Sequence, residues 1–199
     1  MKTFLTIVIT FLALSSCRDE YINKELYLFT RSTRLKQGFI AEDFNITDSL
    51  STHIGIGYKN DDDFVIYHVS NERVINHSSL MSETLKEFIA IEDVHYYSIW
   101  KCDITQSEYD FLFSELLSLS KERINFDHDL VLDNEDLYCS EFVYSILELV
   151  NREKFFYKPI KKPLTLFYIS ILKRDNLEYI PVDFFTENKM FEKIEENFM

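Results

Sequence analysis

Cys139, His53 and His68 are the side chains whose types and settings suit nucleophilic chemistry. Cys139 stands in Asn-Glu-Asp-Leu-Tyr-Cys-Ser-Glu-Phe-Val-Tyr-Ser-Ile-Leu-Glu-Leu-Val, residues 134–150, a stretch with the apolar spacing of a helix and the thiol in its first turn. Phe142, Val143, Ile146, Leu147 and Val150 make the face to be buried, and Cys139 shares it, four residues before Val143. Unpaired backbone N–H groups and the helix dipole favour an anion at a helix start. A thiol there is expected to ionise more readily, and the same N–H groups suit a developing oxyanion. Asp133, Glu135, Asp136 and Glu141 oppose ionisation, so a specific partner is required. Asn134 or Asp136 is the expected helix cap.

Histidine is the usual partner of such a thiol. His53 opens Thr-His-Ile-Gly-Ile-Gly-Tyr, a strand pattern in which Gly55 and Gly57 share its face. That face is left bare, open to another backbone or a ligand. His68 stands in Val-Ile-Tyr-His-Val on the next strand. A hairpin about the polar turn 59–63 brings the two histidines near each other. His68 then orients the imidazole of His53, the third role in a Cys–His arrangement. His77, His95 and His128 read as structural. A metal held by His53, His68 and Cys139 lacks the usual ligand spacing, and no metal or other cofactor is expected. A structural thiol, or a disulfide from Cys102 to Cys139, is the alternative reading of the cysteine.

These side chains need elements to hold them. Leu35–Ile40 reads as a first strand and 41–51 as a loop. The hairpin follows, then Arg73–Ile75 as a further pairing segment and a short helix from a Ser82 cap through Phe88. Val94–Lys101 is rich in β-formers. Thr105-Gln-Ser-Glu108 is a capping box for a helix to about Lys121, with Tyr109, Leu112, Phe113, Leu116 and Leu117 on one face. Residues 164–172 suit strand or helix equally, Leu177–Val182 a strand, and Lys189–Phe198 a terminal helix. Strands first and helices later favour an α+β fold with a mainly antiparallel sheet packed on helices.

The N-terminus reads as a processing signal. Phe4–Leu14 is an apolar run too short to span a bilayer comfortably. It ends in Leu14-Ser15-Ser16-Cys17, which resembles the bacterial lipobox, with Cys17 as the lipidated residue. Arg18-Asp19-Glu20 is similar to the surface-export signal of Bacteroidota lipoproteins. The expected organisation is a signal peptide over 1–16, a lipid-anchored tether and entry segment over 17–34 and one domain over 35–199. The expected location is the bacterial envelope, at the outer membrane and facing outward. A net charge of -13 argues against nucleic acid as a partner.

The motif order adds a resemblance. His53-Ile-Gly-Ile in a strand, His68 in the next, then Tyr138-Cys-Ser-Glu-Phe-Val143 opening a helix resembles the permuted papain-like cysteine hydrolases of the YiiX/YaeF type. These are relatives of the NlpC-type cell-wall peptidases and the lecithin–retinol acyltransferases. The likeness covers roughly residues 35–182. It implies a circularly permuted papain-like fold, with Cys139 as nucleophile, His53 as general base and His68 as the orienting residue. It also implies a structural Phe126-Asp127 pair. Gln37-Gly38-Phe39-Ile40 departs from the family's Gly-Asp-Ile-type first strand by lacking its acidic residue. The implied activity is an amidase or peptidase reaction by thiolate attack on an amide or ester carbonyl, with cell-wall peptides or acyl amides and esters as substrates. The rival readings are a lipid acyl hydrolase or transferase on the same fold, a non-catalytic lipid- or peptide-binding lipoprotein, and a structural lipoprotein with a Cys102–Cys139 disulfide.

Overall fold

The structure, a computed structural model, describes residues 24–33, 36–71, 78–91, 94–132 and 134–199. Residues 1–16, the lipobox Cys17, residues 18–23 and Arg73–Ile75 lie outside the described residues. The elements run β1 (Lys24–Thr33), α1 (Lys36–Phe44), β2 (His53–Asn60), β3 (Asp63–Val69), β4 (Leu80–Glu83), α2 (Leu85–Ile89), β5 (Val94–Ile104), α3 (Gln106–Leu119), α4 (Cys139–Phe155), β6 (Ile160–Pro163), α5 (Leu166–Leu172), β7 (Asn176–Tyr179) and β8 (Glu192–Phe198). Six strands form one sheet in the order β4-β3-β2-β1-β5-β8, each neighbouring pair antiparallel, while β6 and β7 pair separately. The fold is α+β, as expected. No helix among the described residues is long and apolar enough to cross a membrane.

Lys24–Thr33 was expected within the tether and entry segment, yet it is one of the two central strands of the sheet. Leu26 and Leu28 join the main core with residues of α3 and α4, and Tyr27 and Phe29 join a second cluster with Phe88 of α2. A strand buried on both faces shows a continuous apolar run instead of alternation. Leu35–Ile40, expected as a strand, falls instead largely in α1. Ile40, Ala41 and Phe44 share a helical face, and all three line one cleft. The expected terminal helix 189–198 is replaced by the edge strand β8. Its residues are exposed on both sides, so no alternation marks it; Tyr96 and Tyr97 hydroxyls on β5 bond to Glu196 and Glu195.

Helix starts were more legible. The Thr105–Glu108 capping box is present, and Thr105 N–H donates to the Glu108 carboxylate at 2.7 Å. Of the expected α3 face, Leu112 and Leu116 are buried while Phe113 and Leu117 stay exposed. Thr84, not Ser82, caps α2, because Ser82 lies in β4. Neither Asn134 nor Asp136 caps α4; Tyr138 holds that position without a side-chain cap bond. The loop before it is folded on Asp127, whose carboxylate accepts from Asp129 N–H at 2.7 Å and Val131 N–H at 2.6 Å.

One buried carboxylate ties the ends of the fold together. Asp183 accepts backbone N–H bonds from Ile46, Thr47 and Asp48 at 2.9, 2.7 and 2.9 Å. Those residues lie in the loop that leads into β2 and His53.

Candidate active site

Cys139 is the first residue of α4, and its neighbours fix it there. The Tyr138 hydroxyl accepts from Ile180 N–H at 2.8 Å, and the Ser140 hydroxyl donates to the Ile180 carbonyl at 2.7 Å. Two hydroxyls flanking the thiol thus clamp the helix start onto the segment after β7. The helix packs across β2 and β3.

Burial pushes the Cys139 thiol up to about 11, while N–H groups of Ile54, Ser140 and Cys139 itself and the Arg31 cation pull it down. Desolvation wins, so the thiol is protonated at neutral pH. This corrects the expectation of a readily ionised thiol. The helix-start donors are present, but a sulfur shielded from water loses more than they return.

The two histidines meet as expected. His53 Nε2 lies 2.8 Å from His68 Nδ1, and His68 Nε2 lies 3.1 Å from the Glu83 carboxylate on β4. All three side chains are buried. Chemistry fixes one end of the chain: an ionised carboxylate only accepts, so His68 Nε2 carries the proton that it donates to Glu83. In the tautomer where His68 is neutral, its bare Nδ1 accepts from His53 Nε2–H and His53 carries an unprotonated Nδ1, the form a general base needs; a protonated His68 reverses that bond. Burial first, then Arg31 and His68, hold the His53 imidazole well below its ordinary value, which keeps it neutral.

The bare face expected around Gly55 is filled by the neighbouring strand, not left open for a ligand. A Cβ at Gly55 would lie 2.8 Å from Ile66 Cγ2 and 3.3 Å from His68 Cβ. Glycine there lets β3 twist in close enough for His68 to reach His53.

Two residues of the candidate site escaped the sequence reading. Arg31 of β1 is fully buried, its guanidinium 4.5 Å from the Phe88 ring centroid and bonded to the Phe88 carbonyl. It acts electrostatically on both His53 and Cys139. Glu83 ends the histidine chain. A charged residue at the end of the apolar run Leu-Tyr-Leu-Phe-Thr-Arg was the available signal for Arg31. For Glu83 the sequence held none.

Cys139 and His53 line one cleft of about 210 Å³. Among the described residues, no hydrogen bond joins the two. Such bonds are often long before substrate binds. The cleft walls are mainly apolar, from α1, α5 and the segment around β7, with His128 also on the wall. His95 lies elsewhere, with Nε2 3.1 Å from the Ser32 hydroxyl, and His77 is outside the described residues. Cys102 and Cys139 are both free thiols, so no disulfide joins them.

A search of solved structures finds the metalloprotein yiiX from Escherichia coli O157:H7 at a TM-score of 0.60 and 11% identity, covering 89% of this chain and 98% of that chain. That likeness is one of fold, and the fold of this chain is YiiX-like. No family model matches the sequence, and a search of curated proteins finds no relative.

Proposed function

We propose that this protein is a cysteine hydrolase of the amidase or peptidase type on a circularly permuted papain-like fold. The observation that supports it is the shared cleft: Cys139 at a helix start and, lining the same cleft, His53 held by a hydrogen-bond chain through His68 to Glu83. As the thiol attacks an amide or ester carbonyl, its proton passes to His53 Nδ1. The negative charge on the carbonyl oxygen is met by helix-start N–H groups such as those of Cys139 and Ser140. His53 then gives the proton to the departing amine or alcohol, which leaves an acyl-thioester on Cys139. Water, deprotonated by His53, cleaves the thioester and restores the thiol. Because thiol and imidazole are both neutral at rest, proton transfer accompanies attack and does not precede it.

The E. coli protein is described as a metalloprotein. Among the described residues of this chain, no three His, Cys, Asp or Glu side chains gather as a metal site. His68 uses both ring nitrogens within the chain of hydrogen bonds, so no step is routed through a metal. The lipid anchor at Cys17 and the envelope location belong to the same proposal and rest on the sequence.

Intact-mass analysis of the purified protein after brief exposure to a p-nitrophenyl acyl ester tests the reading. An added acyl mass on Cys139, absent from Cys139→Ala, is the expected result. Full turnover by Cys139→Ala would overturn it. The competing reading, a binder of lipid or peptide without catalysis, draws on the apolar cleft walls; it requires ligand without turnover in the unmodified chain.

A further inference from the structure

We infer that α5 and the cations at its two ends form a docking surface for an anionic lipid bilayer. The inference goes beyond the hydrolase reading and depends neither on it nor on a lipid at Cys17.

α5 connects β6 to β7, and the Leu164 N–H bonded to the Asp175 carbonyl at 2.8 Å closes its base. Its sequence, Leu-Phe-Tyr-Ile-Ser-Ile-Leu, is apolar or aromatic but for one serine. A helix that is apolar all round is expected to be covered on every side. Here one side is covered. Tyr168 is buried in a cluster with Phe44 and Leu177, and Ile169 and Leu172 pack against it. On the other side Leu166, Phe167 and Ile171 are 86%, 64% and 48% exposed. The cleft beside Cys139 does not account for that face, since Ile171 lines it but Leu166 and Phe167 do not.

Charge says what covers it. The chain carries a net charge of -13, yet no acidic residue stands between Glu153 and Asp175. Lys161 and Lys162 of β6 precede α5, and Lys173 and Arg174 follow it. The Lys162 amine donates to the Asp43 carbonyl at 2.7 Å, and the Lys173 amine to the Ser170 carbonyl at 2.5 Å. A carbonyl orients an ammonium without cancelling its charge. Among the described residues none of the four cations is in an ion pair. Three acids border the group: Glu178 stands across the strand pair from Lys161, Asp175 follows Arg174, and the Asp43 carboxylate accepts from the Tyr168 hydroxyl.

An apolar tip with cations at both ends suits the bilayer interface. Leu166 and Phe167 enter the headgroup–acyl boundary while the cations stay level with the lipid phosphates. A second copy fits worse, because α5 laid on α5 would set these cations against their own kind. A nucleic acid would meet the cations and leave the apolar tip in water.

The test reads insertion at the tip itself. The full chain carrying Phe167→Trp is mixed with vesicles of phosphatidylcholine and phosphatidylglycerol, and the signal of Trp100 is subtracted with the unmodified protein. The expected result is a blue shift of the new tryptophan and its quenching by brominated lipid. The shift should weaken on phosphatidylcholine alone and at high salt. In co-sedimentation with the same vesicles, Leu166→Ser with Phe167→Ser should weaken binding at least about tenfold. Lys161→Gln and Lys173→Gln should each weaken it about fivefold. All four positions are exposed, and circular dichroism checks that the fold is kept. No shift at position 167, or vesicle binding that both sets of variants leave unchanged, overturns the inference. A concentration-dependent dimer that Phe167→Ser abolishes, with no shift on vesicles, would overturn it too and give the face to a second copy.

Discussion

Cys102 and Cys139 are both buried, both free, and both pushed by burial to about 11. By resting acidity the two thiols are twins. Their surroundings differ. Cys102 sits in β5 with its sulfur beside the Asp103 carbonyl at 3.5 Å. Cys139 starts a helix, is approached by backbone N–H groups and Arg31, and shares a cleft with His53. The comparison teaches that resting pKa does not tell the two thiols apart. What distinguishes Cys139 is a histidine in the same cleft and the open space of that cleft.

The sharpest way to break the comparison is to remove each sulfur in turn. Cys139→Ala should lower hydrolysis by at least about a thousandfold, and Cys102→Ala should leave kcat/KM within a factor of about two. Equal losses would mean that both act through stability alone. Next in size is the base. His53→Ala should lower kcat by about 10²–10⁴-fold, read in steady-state ester hydrolysis, with the fold checked by circular dichroism.

Glu83 acts through His68 and is a positioning residue. A glutamine can donate as well as accept, so Glu83→Gln no longer fixes the tautomers. Loss of the correct tautomer in an Asp–His pair costs up to about 10⁴ in rate; one ring further away, about tenfold in kcat is expected. KM should hold and the acid limb of the pH–rate profile should move. A fall in KM and kcat together with an unmoved profile would make Glu83 merely structural.

The smallest effects are in stability against pH, and here the twins should reappear. Each folded thiol keeps its proton where the unfolded one, at its ordinary value of 9.0, has lost it. The unfolded state then binds fewer protons, so stability falls as pH rises from about 9, by at most about 1.4 kcal/mol per pH unit per thiol. Alanine at either cysteine should flatten that decline equally in urea titrations. His53 works at the other end. It stays neutral when folded while the unfolded chain protonates near 6.5, so its contribution is intact above that pH and is lost below it. His53→Ala should therefore be less acid-sensitive than the unmodified protein.

Cys139 and both histidines were legible because each sits in a local pattern, a helix start or a short hairpin, that a few residues encode. Arg31 and Glu83 were not. Their relation to the site depends on which strand lies beside which, and a strand such as β1 is chosen by partners as distant in sequence as β5. The β8 edge failed for a related reason: a strand with both faces in water has no core to pattern it. The cleft walls from α1 and α5 meet only after folding, and one of those segments read equally well as strand or helix.

Asp183 gives the molecule a clock. Synthesis makes Cys139 and its helix well before residue 183, and the loop that sets His53 lacks its three-point anchor until then. A nascent chain thus carries the sulfur without the finished base beside it. A chain that stops before residue 183 carries the sulfur but lacks the carboxylate that anchors the loop leading to His53.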